Sequence, residues 1–219
     1  LIAHPCASDT PHAQFALSVP KVKIRRSSHY TKLAAEATAA CLADAGMLSA
    51  GAVFKENVDA SQIGTVLSTS YGALSSCIEF GNALASKNPL RLSPALFAAT
   101  VPNSCLGQIA LLFGLTGAST MLTGGNPVEY AGVLLARGYA ESILCGGVEE
   151  YLRELSEALA LTGELPAKTM ADGAGMLLLS REKGTDDYGR VTQIGSCTLP
   201  RSPYLYRLEA REAGHMVLQ

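Results

Sequence analysis

Apolar residues recur along this chain with two periods, and the alternation between them predicts its elements. Leu33, Ala34, Ala37, Cys41, Leu42 and Ala45 fall at helical spacing, which predicts a helix over Thr31 to Gly46 with the glycine as its stop. Ile63-Gly-Thr-Val-Leu-Ser68 is enriched in β-branched residues and predicts a central strand. Tyr71-Gly72 then turns the chain into a helix of Ala73 to Ser86, with Leu74, Cys77, Ile78 and Leu84 on its apolar side. Ser93 is a candidate N-cap, with Pro94 at the first position of a short helix that continues to Thr100 and is ended by Pro102. Ser104 to Phe113 predicts a further helix, stopped by Gly114 and Gly117.

Thr120 to Thr123 is apolar and short, and reads as a paired strand rather than a free edge. Pro127 opens a helix that runs to Arg137 before Gly138. Val128, Ala131, Val133, Leu134 and Leu135 are spread around that helix instead of along one stripe, a pattern for burial on all sides. Glu141 to Leu144 is apolar enough for a buried parallel strand, and Leu152 to Leu161 is helical. Gly173 to Ser180 and Val191 to Gly195 read as two strands joined by the charged turn Arg181 to Gly189. Strands alternating with helices, then an antiparallel pair, specify an α/β layered domain. The expectation is a single domain over 1–219, with an irregular segment 1–26, a core 27–197 and a tail 198–219, and no short internal repeat.

At 219 residues the chain is long enough for one domain with a substantial core. Hydrophobic residues make up 48% and charged residues 16%, which favours a subunit that buries a large face against another chain over a monomer with an apolar core. No apolar run reaches the ~18 residues of a membrane helix, so no membrane span is expected. Net charge is −2, and the basic residues are scattered apart from Lys21-Val-Lys-Ile-Arg-Arg26, which reads as a solvated segment rather than a dock for an acidic partner. With no Trp and no aromatic-rich basic stripe, nothing points to nucleic acid. Cys6, Cys41, Cys77, Cys105, Cys145 and Cys197 form no C-x-x-C pair, so zinc and redox readings are weak. Most lie in apolar segments, as small buried hydrophobes do, and with no secretory h-region this favours a reducing cytoplasm. The first residue is Leu1 rather than Met, so a removed leader stays open.

One order of motifs goes further. Val101-Pro-Asn103, a helix ending Phe113-Gly114-Leu-Thr-Gly117, a short apolar strand to Leu122, Thr123-Gly-Gly-Asn126, an apolar helix and Ile143-Leu-Cys-Gly-Gly147 follow one another. That order resembles the N-terminal half of a β-ketoacyl synthase of the thiolase fold, over about residues 27–196. The resemblance implies a truncated thiolase-like α/β fold: a mixed, mainly parallel sheet with helices on both faces, one half of the family's pseudo-duplicated architecture. In that family a Cys nucleophile follows the short strand, on the turn into the buried helix. Here Thr123 matches the Thr of the family's Thr-Ala-Cys, but Gly124, Gly125 and Asn126 follow it. Counting back from Cys145-Gly-Gly puts Met121 at the nucleophile position, and counting forward from Gly117 puts Asn126 there; neither can form a thioester.

The family's two His and one Lys lie in a C-terminal half with no counterpart in this sequence, and His4, His12, His29 and His215 all fall outside the motif region. Cys105, in Val101-Pro-Asn-Ser-Cys, is the alternative nucleophile, and it reads as a packed, inert thiol. Cys145 stands where the family usually has Ala, a position that asks for small size. Glu149-Glu150 read as a charge pair for a helix N-terminus rather than catalytic carboxylates, and Gly124-Gly125 as a shortened turn rather than a phosphate cradle.

Ketosynthase-like subunits without the nucleophile are chain-length factors, which complete the dimer of an active ketosynthase and shape its acyl tunnel. The resemblance implies such a subunit, with no catalytic residue and no bound cofactor. It would act on phosphopantetheine-linked chains of an acyl carrier protein through a full-length ketosynthase, as a heterodimer or higher assembly. The setting implied is fatty acid-like or polyketide biosynthesis, similar to the type II polyketide and aryl polyene systems. Carried over residue by residue, Phe97, Thr100, Asn103, Thr120, Met121, Leu122 and Thr123 line the tunnel or the partner interface. The competing readings are a truncated active ketosynthase or thiolase-like acyltransferase, and a self-associating structural protein.

Overall fold

The computed structural model describes residues 24–49, 53–86, 92–161, 171–182 and 188–195. The chain divides into two compact units, residues 1–150 with 173–190, and residues 151–172 with 191–219.

The first unit is built on a four-stranded sheet. Its first helix, α1 (His29–Asp44), begins where the Ser28 side chain accepts a hydrogen bond from the Thr31 N–H, two residues before the apolar periodicity starts. The buried face is Tyr30, Thr31, Ala34, Ala35, Thr38, Ala39 and Leu42. This is rotated from the predicted stripe: Leu33 and Cys41 are only partly buried and Ala45 is exposed. In so alanine-rich a helix hydrophobicity hardly distinguishes the faces. Two threonines can be buried because each is satisfied locally, Thr38 Oγ1 donating to the Ala34 carbonyl at 2.8 Å and Thr31 Oγ1 accepting from Ser28 Oγ at 3.0 Å.

A small antiparallel pair, β1 (Leu48–Ser49) and β2 (Val53–Phe54), leads into the 3-10 turn Ala60–Gln62, capped by Asp59, and then into β3 (Ile63–Thr69). The remaining elements are α2 (Leu74–Ala85), α3 (Pro94–Ala98), α4 (Ser104–Phe113), β4 (Ser119–Thr123), α5 (Pro127–Ala136), β5 (Ser142–Glu149), α6 (Arg153–Leu161) and β6 (Gly173–Ser180). The sheet order is β4-β3-β5-β6; β3 lies parallel to β4 and β5, and β6 lies antiparallel to β5. The central position expected for β3 follows from its burial, with six of seven residues buried.

Helices cover both faces of this sheet. Ile63, Leu67, Leu144 and Val148 pack with α1 and α4 into one core, and Val66, Ile143 and Cys145 pack with Ala131 and Leu135 of α5 into another. This is the mixed, mainly parallel α/β arrangement the motif order implies.

Two further expectations differ from the structure. The strand foreseen at Glu141 to Leu144 runs on to Glu149, because Gly146 and Gly147 do not break it: they stay paired with Leu67 and Ser68 on one side and with Met176 and Gly175 on the other. Val191 to Gly195 is not a strand; it is irregular and exposed, and β6 finds its partner in β5 instead. As expected, β4 is paired, on one side with β3, and its other side meets no strand among the described residues. Residues 183–187 of the charged turn, and the tail 198–219, lie outside the described residues.

In the second unit α6 carries an exposed Arg153–Glu157 ion pair at helical spacing, 3.7 Å apart, and the Asp172 carboxylate accepts from the Tyr151 N–H at 2.6 Å. No helix of the described residues is long and apolar enough to cross a membrane.

Candidate functional site

The parallel strands β4, β3 and β5 end together, and the carboxyl end of such a sheet is where loops converge to form sites. Three segments meet there: the turn Thr123-Gly-Gly-Asn126, the turn Ser70-Tyr-Gly72 after β3, and Glu149-Glu150 at the end of β5.

The first turn is pinned to β3. Gly124 N–H donates to the Thr69 carbonyl at 3.0 Å, and Ser68 Oγ donates to the Gly125 carbonyl at 2.8 Å. Gly124 takes φ 67°, a left-handed conformation that a side chain disfavours, which is the local reason for a glycine here. Asn126 then caps α5, its Oδ1 accepting from Val128 N–H at 3.1 Å and Glu129 N–H at 3.3 Å. The two residues that counting put at the nucleophile position therefore occupy different places. Asn126 stands on the turn into the helix with its side chain engaged in capping. Met121 sits within β4 opposite Leu67 and packs on the α1–α4 core. Thr120 and Leu122 lie beside Val66 and Ser68, half-buried, and Thr123 is exposed beside Thr69.

The described thiols lie elsewhere. Cys105 is fully buried at the start of α4, its Sγ donating to the Pro102 carbonyl at 3.5 Å. Burial pushes that thiol up to about 11, against the pull of hydrogen bonds with Tyr30 and nearby backbone. Burial raises Cys145 to about 12, with the nearby Cys41 adding to it, and raises Cys41 to about 12, with Asp44 adding to it. Tyr30 is wholly buried too; its OH donates to the Pro102 carbonyl at 3.3 Å, and burial, then Cys105, drive its phenol far above the ordinary range. Cys77 is exposed on α2 and donates to the Thr100 carbonyl at 3.2 Å.

Beyond the turns, α2, α3 and the segment into α4 form an apolar surface. Phe97 is 61% exposed and meets the Phe80 ring at a centroid distance of 5.6 Å. Leu84, Val101 and Leu111 are exposed as well, although Leu84 was expected on the buried side of its helix. Thr100 Oγ1 donates to the Phe97 carbonyl at 2.8 Å, and the exposed Asn103 makes no side-chain cap for α4. On α5, Ala131 and Leu135 are buried while Tyr130 and Val133 are exposed, so the covering that its sequence asks for is only partly supplied by the described residues.

Glu150 does serve a helix N-terminus, that of α2, while Glu149 holds the turn before it. Glu150 accepts from Ser75 N–H and Ser75 Oγ, both at 2.9 Å, and Glu149 accepts from Ser70 N–H and, at 3.3 Å, from Tyr71 N–H. The sequence held one clue: α2 starts after Ala73, which has no side chain able to cap it. Among the described residues no group of three His, Cys, Asp or Glu could hold a metal ion.

No protein-family model matches the chain. It is 26% identical over 167 residues to the 3-oxoacyl-[acyl-carrier-protein] synthase 2 of Vibrio cholerae, covering 63% of this chain and 40% of that protein. To the protein of the same name from Synechocystis it is 29% identical over 182 residues, covering 70% and 44% respectively. The chain thus spans about two-fifths of the length of these relatives.

Among solved structures, the ishigamide ketosynthase/chain length factor is similar with a TM-score of 0.58 at 22% identity, over 71% of this chain and 44% of that one. The ketosynthase ApeO in complex with its chain length factor ApeC, from Xenorhabdus doucetiae, gives 0.54 at 19% identity, over 75% and 62%. AntDE:AntF, a type II polyketide acyl-carrier protein in complex with its ketosynthase, gives 0.58 at 20% identity, over 80% and 51%. At these identities the structures speak for the fold. By sequence the chain is similar to 3-oxoacyl-[acyl-carrier-protein] synthases, and by backbone to ketosynthase and ketosynthase/chain length factor structures, of which it covers about half.

Proposed function

We propose that this chain is a non-catalytic chain-length factor, which pairs with an active ketosynthase and shapes the tunnel holding that partner's acyl chain. The observation that carries the proposal is the turn after β4: it offers an asparagine already committed to capping α5 where a ketosynthase would present a thiol. The thiols of Cys41, Cys105 and Cys145, which lie elsewhere, do not substitute, since burial raises each well above the ordinary thiol range. In support of a partner, β4 has a side free of other strands among the described residues, and Phe97, Val101 and Leu111 expose apolar surface. In this reading Thr120, Met121, Leu122 and Thr123 pair across the interface, while Phe97, Thr100 and Asn103 face the tunnel. The chain holds no cofactor and meets the phosphopantetheine arm of an acyl carrier protein through its partner. The product is a fatty acid-like or polyketide chain, with the aryl polyenes as one such class.

The test is co-expression with a full-length ketosynthase, followed by native mass spectrometry and a malonyl-thioester condensation assay. A stable complex, with condensation that needs the partner's cysteine, is the expected result. Carbon–carbon bond formation by the purified chain alone would overturn it and favour a truncated acyltransferase, as would rapid alkylation of Cys105 with loss of turnover.

A further inference from the structure

Strand β5 ends in two carboxylates that the turn after β4 and the cysteines do not use. Together they engage three residues of one turn-to-helix junction. Glu149 accepts from the N–H groups of Ser70 and Tyr71, and Glu150 from the N–H and hydroxyl of Ser75. Glu150 is only 4% exposed, and no cation is paired with it among the described residues. A buried carboxylate is costly unless donors meet it. Here the donors are those at the first turn of α2, a helix whose own Ala73 cannot cap it.

The junction passes this constraint outward. Gly72 N–H donates to Thr69 Oγ1 at 2.8 Å, and Gly72 lies so close to Pro102 that an added Cβ would sit 2.9 Å from Pro102 Cγ. Further along α2, Cys77 is bonded to Thr100 and Phe80 touches Phe97. The end of β5 is thus tied through α2 to the segment from Phe97 to Pro102.

We propose that Glu149 and Glu150 are positioning residues: by clamping the start of α2 they set where Phe80 and Cys77 meet Phe97 and Thr100, and so set the shape of the apolar face these residues form. The extension from that face to acyl-chain length rests on the function proposed above; the clamp does not.

Hydrogen exchange of the full chain, read peptide by peptide with mass spectrometry, tests the clamp. Glu150→Gln raises exchange within Leu74–Ala85 by about tenfold and leaves β3 and α5 unchanged. Ser75→Ala, which removes only the hydroxyl donor, gives a smaller rise confined to the same helix. Unchanged exchange in α2 overturns the inference. So does a uniform rise across the chain, or a Glu150→Gln variant that cannot fold while Ser75→Ala leaves α2 unaltered, since each assigns the carboxylate to global stability. In a complex with a ketosynthase, Glu150→Gln shifts the length of the product. A loosened α2 with unshifted products upholds the clamp and counts against the tunnel role of this face.

Discussion

Cys41, Cys105 and Cys145 each keep their proton in the folded chain to a higher pH than in the unfolded one, where a thiol titrates near 9. The consequence has a definite sign. Between about pH 9 and 12 the unfolded chain binds fewer thiol protons than the folded chain, so stability falls as pH rises through that window and is intact below it. A urea midpoint that declines from about pH 9 upward, with part of the decline removed by Cys105→Ala, is the expected measurement. At about pH 8 iodoacetamide modifies Cys77 at least about tenfold faster than Cys105, as peptide mapping will show. Gly72 is the backbone counterpart of these sites: at φ 66° and against Pro102 it has no room for a side chain. Gly72→Ala costs about 1–3 kcal/mol in denaturant unfolding. Gly81→Ala, where an added Cβ meets nothing within 4 Å inside a helix, stabilises by about 0.5–1 kcal/mol. The sequence marks both as glycines and cannot rank them, because the difference lies in what is packed nearby.

At the scale of elements, the turn into α5 is the informative junction. Asn126→Ala removes a cap with two hydrogen bonds and costs about 1 kcal/mol in thermal or denaturant unfolding. Asn126→Cys places a thiol at a helix N-terminus, so its alkylation outpaces that of Cys105, as peptide mapping will show. Elements with strong punctuation were legible in advance. The Ser93-Pro94 start, the helix Ser104–Phe113 and the strand Gly173–Ser180 stand where the residues put them. Two kinds were not. The buried face of α1 shifts because alanines on all sides give periodicity little contrast, and Val191 to Gly195 has strand-like residues yet forms no strand. The capping of α2 by Glu150 spans 75 residues of sequence, a separation no local pattern reveals.

For the whole molecule, an apolar composition and an edge strand lead to one expectation about assembly. Phe97→Glu and Leu111→Glu, at exposed apolar positions, leave the secondary structure unchanged by circular dichroism and abolish co-purification with a ketosynthase. Retained binding by both variants would remove this surface from the interface. What the sequence determined by itself was the order of the main helices and strands from His29 to Glu149 and the family likeness, since the motifs from Val101 to Gly147 and the missing thiol are written in consecutive residues. Only the tertiary structure decided that one side of β4 meets no strand among the described residues, and that the carboxylates at the end of β5 serve the turn and helix after β3. Each of these depends on pairing between residues far apart in the chain. Local periodicity reports which face of an element is apolar, whereas hydrogen bonds and burial between distant segments are settled only when the sheet closes around them.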